Sequence, residues 1–188
     1  FRRAKFLYDR NTSAFQEYIL FLNDFQKTLN KPEEIQEIQL EKANLYNHKA
    51  SSQIFPDGKK IAVGILDSIL KIENRSNAYK AAFVLKQQIT AKSFQTEFQE
   101  FTYESENARA FISSQNINNI RLSFYRISSK ITLKNRAKKA TDSIAQTIKL
   151  KKAPDFVLNA KIPNREDFFQ TSTEILLPKL SLGKYLDH

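Results

Sequence analysis

The sequence contains no cysteine, no methionine and no tryptophan. Because cysteine is absent, the chain has no disulfide framework, no thiol nucleophile and no cysteine-based zinc site. The hydrophobic core must therefore consist of leucine, isoleucine, alanine and the 15 phenylalanines.

Glycine and proline are also scarce, with three and five residues respectively. These numbers are low for a turn-rich β-sandwich or a glycine-looped nucleotide-binding fold. The longest apolar run, from Tyr18 to Phe25, is interrupted by Asn23 and Asp24. It is far shorter than the roughly 18–20 residues of a membrane span. We therefore predict a mainly helical chain that is not transmembrane.

Apolar residues at alternating three- and four-residue spacing predict several helices in the first half of the chain. Ser13 and Gln16 resemble a capping box that opens the first helix. Pro32 suits the first position of the second helix. A third helix follows the turn at residues 55–58, and Asn74 or Ser76 is positioned to cap the next one.

The helical spacing continues over residues 76–113, which predicts either one long helix or two, with a weak point at residues 90–93. Three prolines at 154, 163 and 178 then mark a different region, in which Asn164 is positioned to cap a short helix over Phe168–Leu176. The resulting prediction is all-α: a helical bundle of about five to six helices over residues 1–152, and a Pro-punctuated C-terminal tail, 153–188, packed on the bundle.

The basic residues are concentrated in one region of the chain. Residues 115–152 contain ten cations and one acid, Asp142, and so carry +9 of the total net charge of +10. We call residues 121–152 the basic segment and predict that its cations contact an anionic partner. They are Arg121, Arg126, Lys130, Lys134, Arg136, Lys138, Lys139, Lys149, Lys151 and Lys152.

The spacing within the basic segment favours helical structure. Arg126, Lys130, Lys134 and Lys138 are four residues apart and would form one ridge on a helix. The apolar face changes side near residues 132–136, which indicates two helical pieces or one helix that meets two neighbours. A strand is the lower-ranked alternative: Ile120, Leu122 and Phe124 alternate, but no hairpin turn follows them.

Three interpretations of these charges remain open. The first is contact between the cations and RNA phosphates, and the second is a solvated face. The third is pairing with acidic residues of the same chain, namely Glu97, Glu100, Glu104 and Glu106. Phe124 and Tyr125 lie among the cations and suit base stacking, although aromatic residues at this spacing more often belong to the core.

No pattern of catalytic or cofactor-binding residues is present. The two histidines, His48 and His188, have no nucleophile motif beside them, and the sequence contains neither a phosphate-binding glycine loop nor a Glu-x-x-His pair. We therefore expect a protein that is not an enzyme, without cofactor, metal or small-molecule substrate.

These observations predict a structural component of a ribonucleoprotein assembly, with RNA or other protein subunits as partners. One alternative is a surface-exposed or secreted helical bundle that binds another protein. A further alternative is a scaffold that adsorbs to an anionic membrane surface. A chain that opens at Phe1 suggests removal of a targeting segment, and hence an organellar, for example mitochondrial, or extracellular location.

Overall fold

The computed structural model describes residues 5, 14–51, 53–99, 103, 106–127, 153–179 and 184–187. The chain forms two compact units. The first comprises residues 1–91 and 165–169, and the second comprises residues 92–164 and 170–188. The division predicted from the sequence lies at a different place, between a bundle that ends at residue 152 and a tail that begins at residue 153.

The first unit contains the helices of the described chain. They are α1 (Phe15–Lys27), α2 (Pro32–Lys49), α3 (Gly58–Leu70) and α4 (Asn77–Thr90). Pro32 occupies the first turn of α2, as predicted. Ser76 caps α4, where its hydroxyl oxygen accepts a hydrogen bond from the backbone N–H of Tyr79 at 3.0 Å. The N-cap of α1 is Ala14 rather than Ser13, and Ser13 lies outside the described residues.

Small residues allow the helices of the first unit to pack closely. Ala43, Ala62 and Ala82, from three successive helices, are fully buried in one cluster with Leu66 and Ile69. A second cluster joins α1 to α2 through Leu22 and neighbouring apolar residues. Within α3, Ala62 and Leu66 are buried, whereas Ile61 is exposed.

A buried glutamine connects the end of α3 to the start of α4. The Gln36 amide donates to the carbonyl oxygens of Ile69 and Ile72 and accepts from Asn74 (2.7 Å) and from the Ser76 hydroxyl (2.9 Å). Because the carbonyl groups at a helix C-terminus lack partners within the helix, Gln36 supplies the donors that they need.

The second unit consists of strands, which contradicts the all-α prediction. The strands are β1 (Ser93–Phe98), β2 (Arg109–Gln115), β3 (Asn119–Ile127), β4 (Phe156–Lys161), β5 (Thr171–Leu176) and β6 (Lys184–Asp187). They form two antiparallel sheets, ordered β1-β2-β5 and β4-β3-β6. The protein is therefore of mixed helix and sheet, not a helical bundle.

The two sheets share one hydrophobic core. Alternate residues of β2, Ala110 and Ile112, are buried with Ile120, Leu122 and Phe124 of β3. This alternation places one face of each strand inward, as in a small two-sheet sandwich. Among the described residues, no helix is long and apolar enough to cross a membrane.

Two further expectations about helices were wrong. Residues 93–98 and 109–115 are strands, so the helical pattern predicted over residues 76–113 ends with α4 at Thr90. The short helix predicted over Phe168–Leu176 is replaced by β5, which pairs with β2 from Thr171 to Leu176. Ala110 and Ile112 in the first stretch and Ile175 in the second belong to or pack against a sheet core. Packing across strands therefore outweighs local helical spacing.

Candidate anion-binding surface

The structure describes two of the ten predicted anion-binding residues, and both lie on β3. Arg121 and Arg126 are exposed. They are five positions apart in a strand, where successive side chains alternate, so they lie on opposite faces of the sheet. The prediction of a helical ridge that starts at Arg126 was therefore wrong for Arg126, because this residue lies in a strand. The other eight, which lie outside the described residues, are Lys130, Lys134, Arg136, Lys138, Lys139, Lys149, Lys151 and Lys152.

The pairing of β3 with β4 adds a second cation near Arg121. Arg121 lies opposite Asn159, and Asn119 lies opposite Lys161. Since paired residues share a face, Arg121 and Lys161 are diagonal neighbours on one exposed face, together with both asparagines. Neither cation forms a salt bridge within the described part of the chain. We call these four residues the β3–β4 polar face.

Sequence reasoning missed Lys161, and the reason is physical. Lys161 is separated from Arg121 by forty positions, and only the register of β3 against β4 brings the two together. A local charge count therefore does not reveal it. The β3–β4 polar face offers two cations and two amide groups, which are suitable donors for phosphate or carboxylate oxygens.

Phe124 and Arg126 near the end of β3 lie next to Asp155 and Phe156 at the start of β4. Phe124 of β3 lies opposite Phe156 of β4, and the backbone N–H of Asp155 donates to the carbonyl oxygen of Phe124 at 2.9 Å. The carboxylate of Asp155 accepts from the backbone N–H of Arg126 at 2.6 Å. The chain that leaves β3 after Ile127 therefore returns to the adjacent strand. Residues 128–152, with eight cations and one acid, form this connection.

The two aromatic residues considered for base stacking are buried. Phe124 is 3% exposed and Tyr125 is 7% exposed. The Phe124 ring packs against Phe156 with 6.2 Å between ring centroids. Neither ring is accessible to a nucleic acid base, so neither adds a stacking surface to the charged and amide groups of the β3–β4 polar face.

Glu97 and Glu106, two of the four acidic residues considered as internal partners, do not pair with Arg121 or Lys161. Glu97 lies in β1 opposite Phe111, and Glu106 precedes β2; both are exposed. Neither forms a salt bridge with another described residue. Glu100 and Glu104 lie outside the described residues. The predicted acidic cluster on one helix was wrong for Glu97, because this residue belongs to a strand.

A separate turn in the first unit contains a buried carboxylate. Asp167 is 8% exposed, and its oxygens accept from the Arg165 Nε (2.7 Å) and from the backbone N–H of Phe169 (3.1 Å). Burial raises the pKa of Asp167, but these hydrogen bonds and the Arg165 charge lower the pKa more, so that the net shift is downward. The Lys59 ammonium lies 4.3 Å from the centre of the Phe169 ring and donates to the carbonyl oxygen of Phe168. This geometry stabilises a turn and does not expose a reactive group.

No metal-binding arrangement occurs in the described ranges. No group of three histidine, aspartate or glutamate side chains is placed to hold a metal ion there. His48 lies in the last turn of α2, where a positive charge suits the helix C-terminus, and His188 lies outside these ranges.

Comparisons with family models, with curated proteins and with solved structures found no match to this chain.

Proposed function

We propose that the protein is a non-enzymatic binding component that engages an anionic polymer, RNA in a ribonucleoprotein assembly, through residues 121–152. One observation carries the proposal: nearly all the net charge of the chain lies in this segment, most of which connects two adjacent strands of a folded sheet. The connection joins β3 to β4 and contains eight of the ten cations.

The distance between the β3–β4 polar face and the start of the 128–152 connection supports a polymer rather than a small anion as the partner. Arg121 and Ile127 are six positions apart on β3, or roughly 20 Å along a strand. The β3–β4 polar face and the start of the 128–152 connection are thus separated by more than the width of one phosphate group. A single ligand that contacts both must be extended and repeatedly charged, as RNA is.

The same arrangement predicts little base specificity. The described surface has cations and amide groups but no exposed aromatic ring on β3. Contacts of this kind are made to phosphate and sugar, and they position a nucleic acid without reading its sequence. Binding should therefore be similar for RNAs of different sequence and equal length.

The test compares two charge-matched variants in an RNA-binding titration by fluorescence anisotropy at low salt. The first replaces Lys134, Arg136, Lys138 and Lys139 by glutamine. The control replaces Lys60, Lys71, Lys80 and Lys92, which are exposed and form no salt bridge with a described residue. We expect the first variant to lose affinity by about tenfold or more and the control by about threefold or less.

Equal losses in the two variants would show that only total charge matters and would contradict a dedicated segment. Absence of RNA binding by the unmodified protein would also contradict the proposal. Vesicles that contain acidic lipid serve as a parallel ligand. Tight vesicle binding without RNA binding would instead assign the segment to a membrane surface.

A further inference from the structure

An open pocket between α1 and α2 is lined by hydrogen-bond donors. It has a volume of about 440 Å³, and its described lining residues are Asn23, Gln26, Lys27 and Lys42. The three residues from α1 are three and four positions apart, so they occupy one face of that helix. Lys42 reaches this face from α2. The pocket belongs to the first unit, and none of its described lining residues is part of the basic segment.

Lys42 is held by neutral groups. Its ammonium donates to the Asn23 Oδ1 at 2.9 Å and to the Gln26 Oε1 at 2.7 Å. It forms no salt bridge within the described ranges, because the nearby Glu41 pairs with Lys5 and Asp24 pairs with Lys27. Two of its three N–H groups are thus used, and its positive charge has no described counter-ion.

The two amide groups that hold Lys42 are themselves oriented by it. Since each amide turns its oxygen toward the ammonium, each keeps an NH₂ group with two donors for another acceptor. Neither NH₂ group donates to another described residue. Together with the third N–H of Lys42 and the Lys27 ammonium, the pocket offers donors in excess of acceptors.

Burial has already changed the chemistry of Lys42. Desolvation lowers the pKa of its ammonium, since a half-buried charge loses hydration and has no anion to replace it. An anion in the pocket would restore a favourable environment for the charge.

We propose that the pocket lined by Asn23, Gln26, Lys27 and Lys42 binds a phosphate group, either as inorganic phosphate or as a phosphate monoester. Lys42 and the two amides contact the phosphate oxygens directly. Lys27, which is exposed and shared with Asp24, contributes a longer-range attraction. Charge-assisted hydrogen bonds of this kind are the strong ones in anion recognition.

The experiment is a titration of the full chain with inorganic phosphate, followed by ¹H–¹⁵N correlation spectra and by the ¹³Cε shift of lysine. We expect saturable shifts at the amides of Asn23, Gln26 and Lys42, and an upward movement of the Lys42 pKa. Lys42→Gln should weaken binding by about tenfold or more, and Lys27→Gln by roughly threefold. The matched control Lys80→Gln removes the same charge from an exposed site and should leave affinity within about twofold.

A parallel titration with glycerol 3-phosphate distinguishes the two sources. Tighter binding of the ester assigns the pocket to a phosphate monoester, and equal or weaker binding assigns it to free phosphate. Far-UV circular dichroism confirms that each variant is folded, and the exposed Lys27→Gln variant remains informative if Lys42→Gln does not fold. Failure of both anions to bind, shifts reproduced by chloride, or equal weakening by Lys80→Gln would overturn the proposal.

Discussion

The carboxylate of Asp155 accepts a hydrogen bond from the backbone N–H of Arg126, with 2.6 Å between Oδ2 and nitrogen. Asp155 precedes β4 and Arg126 is near the end of β3, so this bond joins two residues that lie on either side of the 128–152 connection. The adjacent bond from the Asp155 N–H to the Phe124 carbonyl oxygen reinforces the same junction.

Replacement of Asp155 by asparagine should loosen this junction. The amide oxygen still accepts from Arg126, but the bond loses its charge assistance, and we expect a loss of about 0.5–1.5 kcal/mol in the free energy of unfolding because the bond is exposed. Urea denaturation measures this change. Glu73→Gln neutralises an exposed acid in the loop before α4 and should change stability by less than about 0.5 kcal/mol. Equal effects in the two variants would show that the junction has no special role.

Two glycines of α3 should respond to alanine in opposite directions. A Cβ atom at Gly58 would lie 2.8 Å from the Ala50 Cβ and 2.8 Å from the Tyr46 carbonyl oxygen, so Gly58→Ala should destabilise the protein by about 1–3 kcal/mol. A Cβ atom at Gly64 meets nothing within 4 Å, so Gly64→Ala should stabilise it by about 0.5–1 kcal/mol. Thermal unfolding of the pair measures both signs. Two changes of the same sign would contradict the close approach of α2 to the start of α3.

The buried Asp167 should make stability depend on pH in the acidic range. In the folded protein its pKa lies below the ordinary value of an aspartate, so the ionised form is favoured by folding. Its contribution is therefore fully present above the unfolded-state pKa and is lost as the pH falls through the lower folded-state pKa. We expect Asp167→Asn to cost about 1–2 kcal/mol near neutral pH.

The control for this prediction is a comparison of the same two proteins at two pH values. Urea unfolding at about pH 7 and at about pH 2.5 should show a difference between the wild type and Asp167→Asn that shrinks at the lower pH. A difference that stays constant, or that grows as the pH falls, would contradict the assignment of Asp167 as an ionised, hydrogen-bonded group.

The helices of the first unit were predictable because their signals are local. Pro32 at the start of α2 and Ser76 before α4 satisfy groups within a few residues of themselves. A four-residue spacing of apolar residues, in contrast, does not distinguish a helix from a strand. Phe94 and Phe98 lie on one face of either a helix or a strand, because four is close to one helical turn and is also an even number. The strand that resolves this ambiguity is the pairing partner of β1, which is β2, and it begins only at Arg109.

The scarcity of glycine was also a misleading signal. Turns that need a positive φ are formed here by other residues, among them Asn116 between β2 and β3 and Phe168 before β5. Asparagine tolerates this conformation because its short polar side chain hydrogen-bonds locally. A β-sandwich is therefore compatible with three glycines. The candidate surface was also only partly predictable. Arg121 belongs to the charge cluster seen in the sequence, whereas the proximity of Lys161 to Arg121 depends on the register of β3 against β4.

The central claim is that RNA is bound through phosphate contacts made by the basic segment. The most direct test is the slope of the logarithm of RNA affinity against the logarithm of salt concentration, for the wild type and for the variant with Lys134, Arg136, Lys138 and Lys139 replaced by glutamine. Each contact with single-stranded RNA contributes about −0.7 to this slope. We predict a steep negative slope for the wild type that becomes shallower by about 3 in the variant. A slope that is the same in both proteins, or near zero in the wild type, would contradict the account.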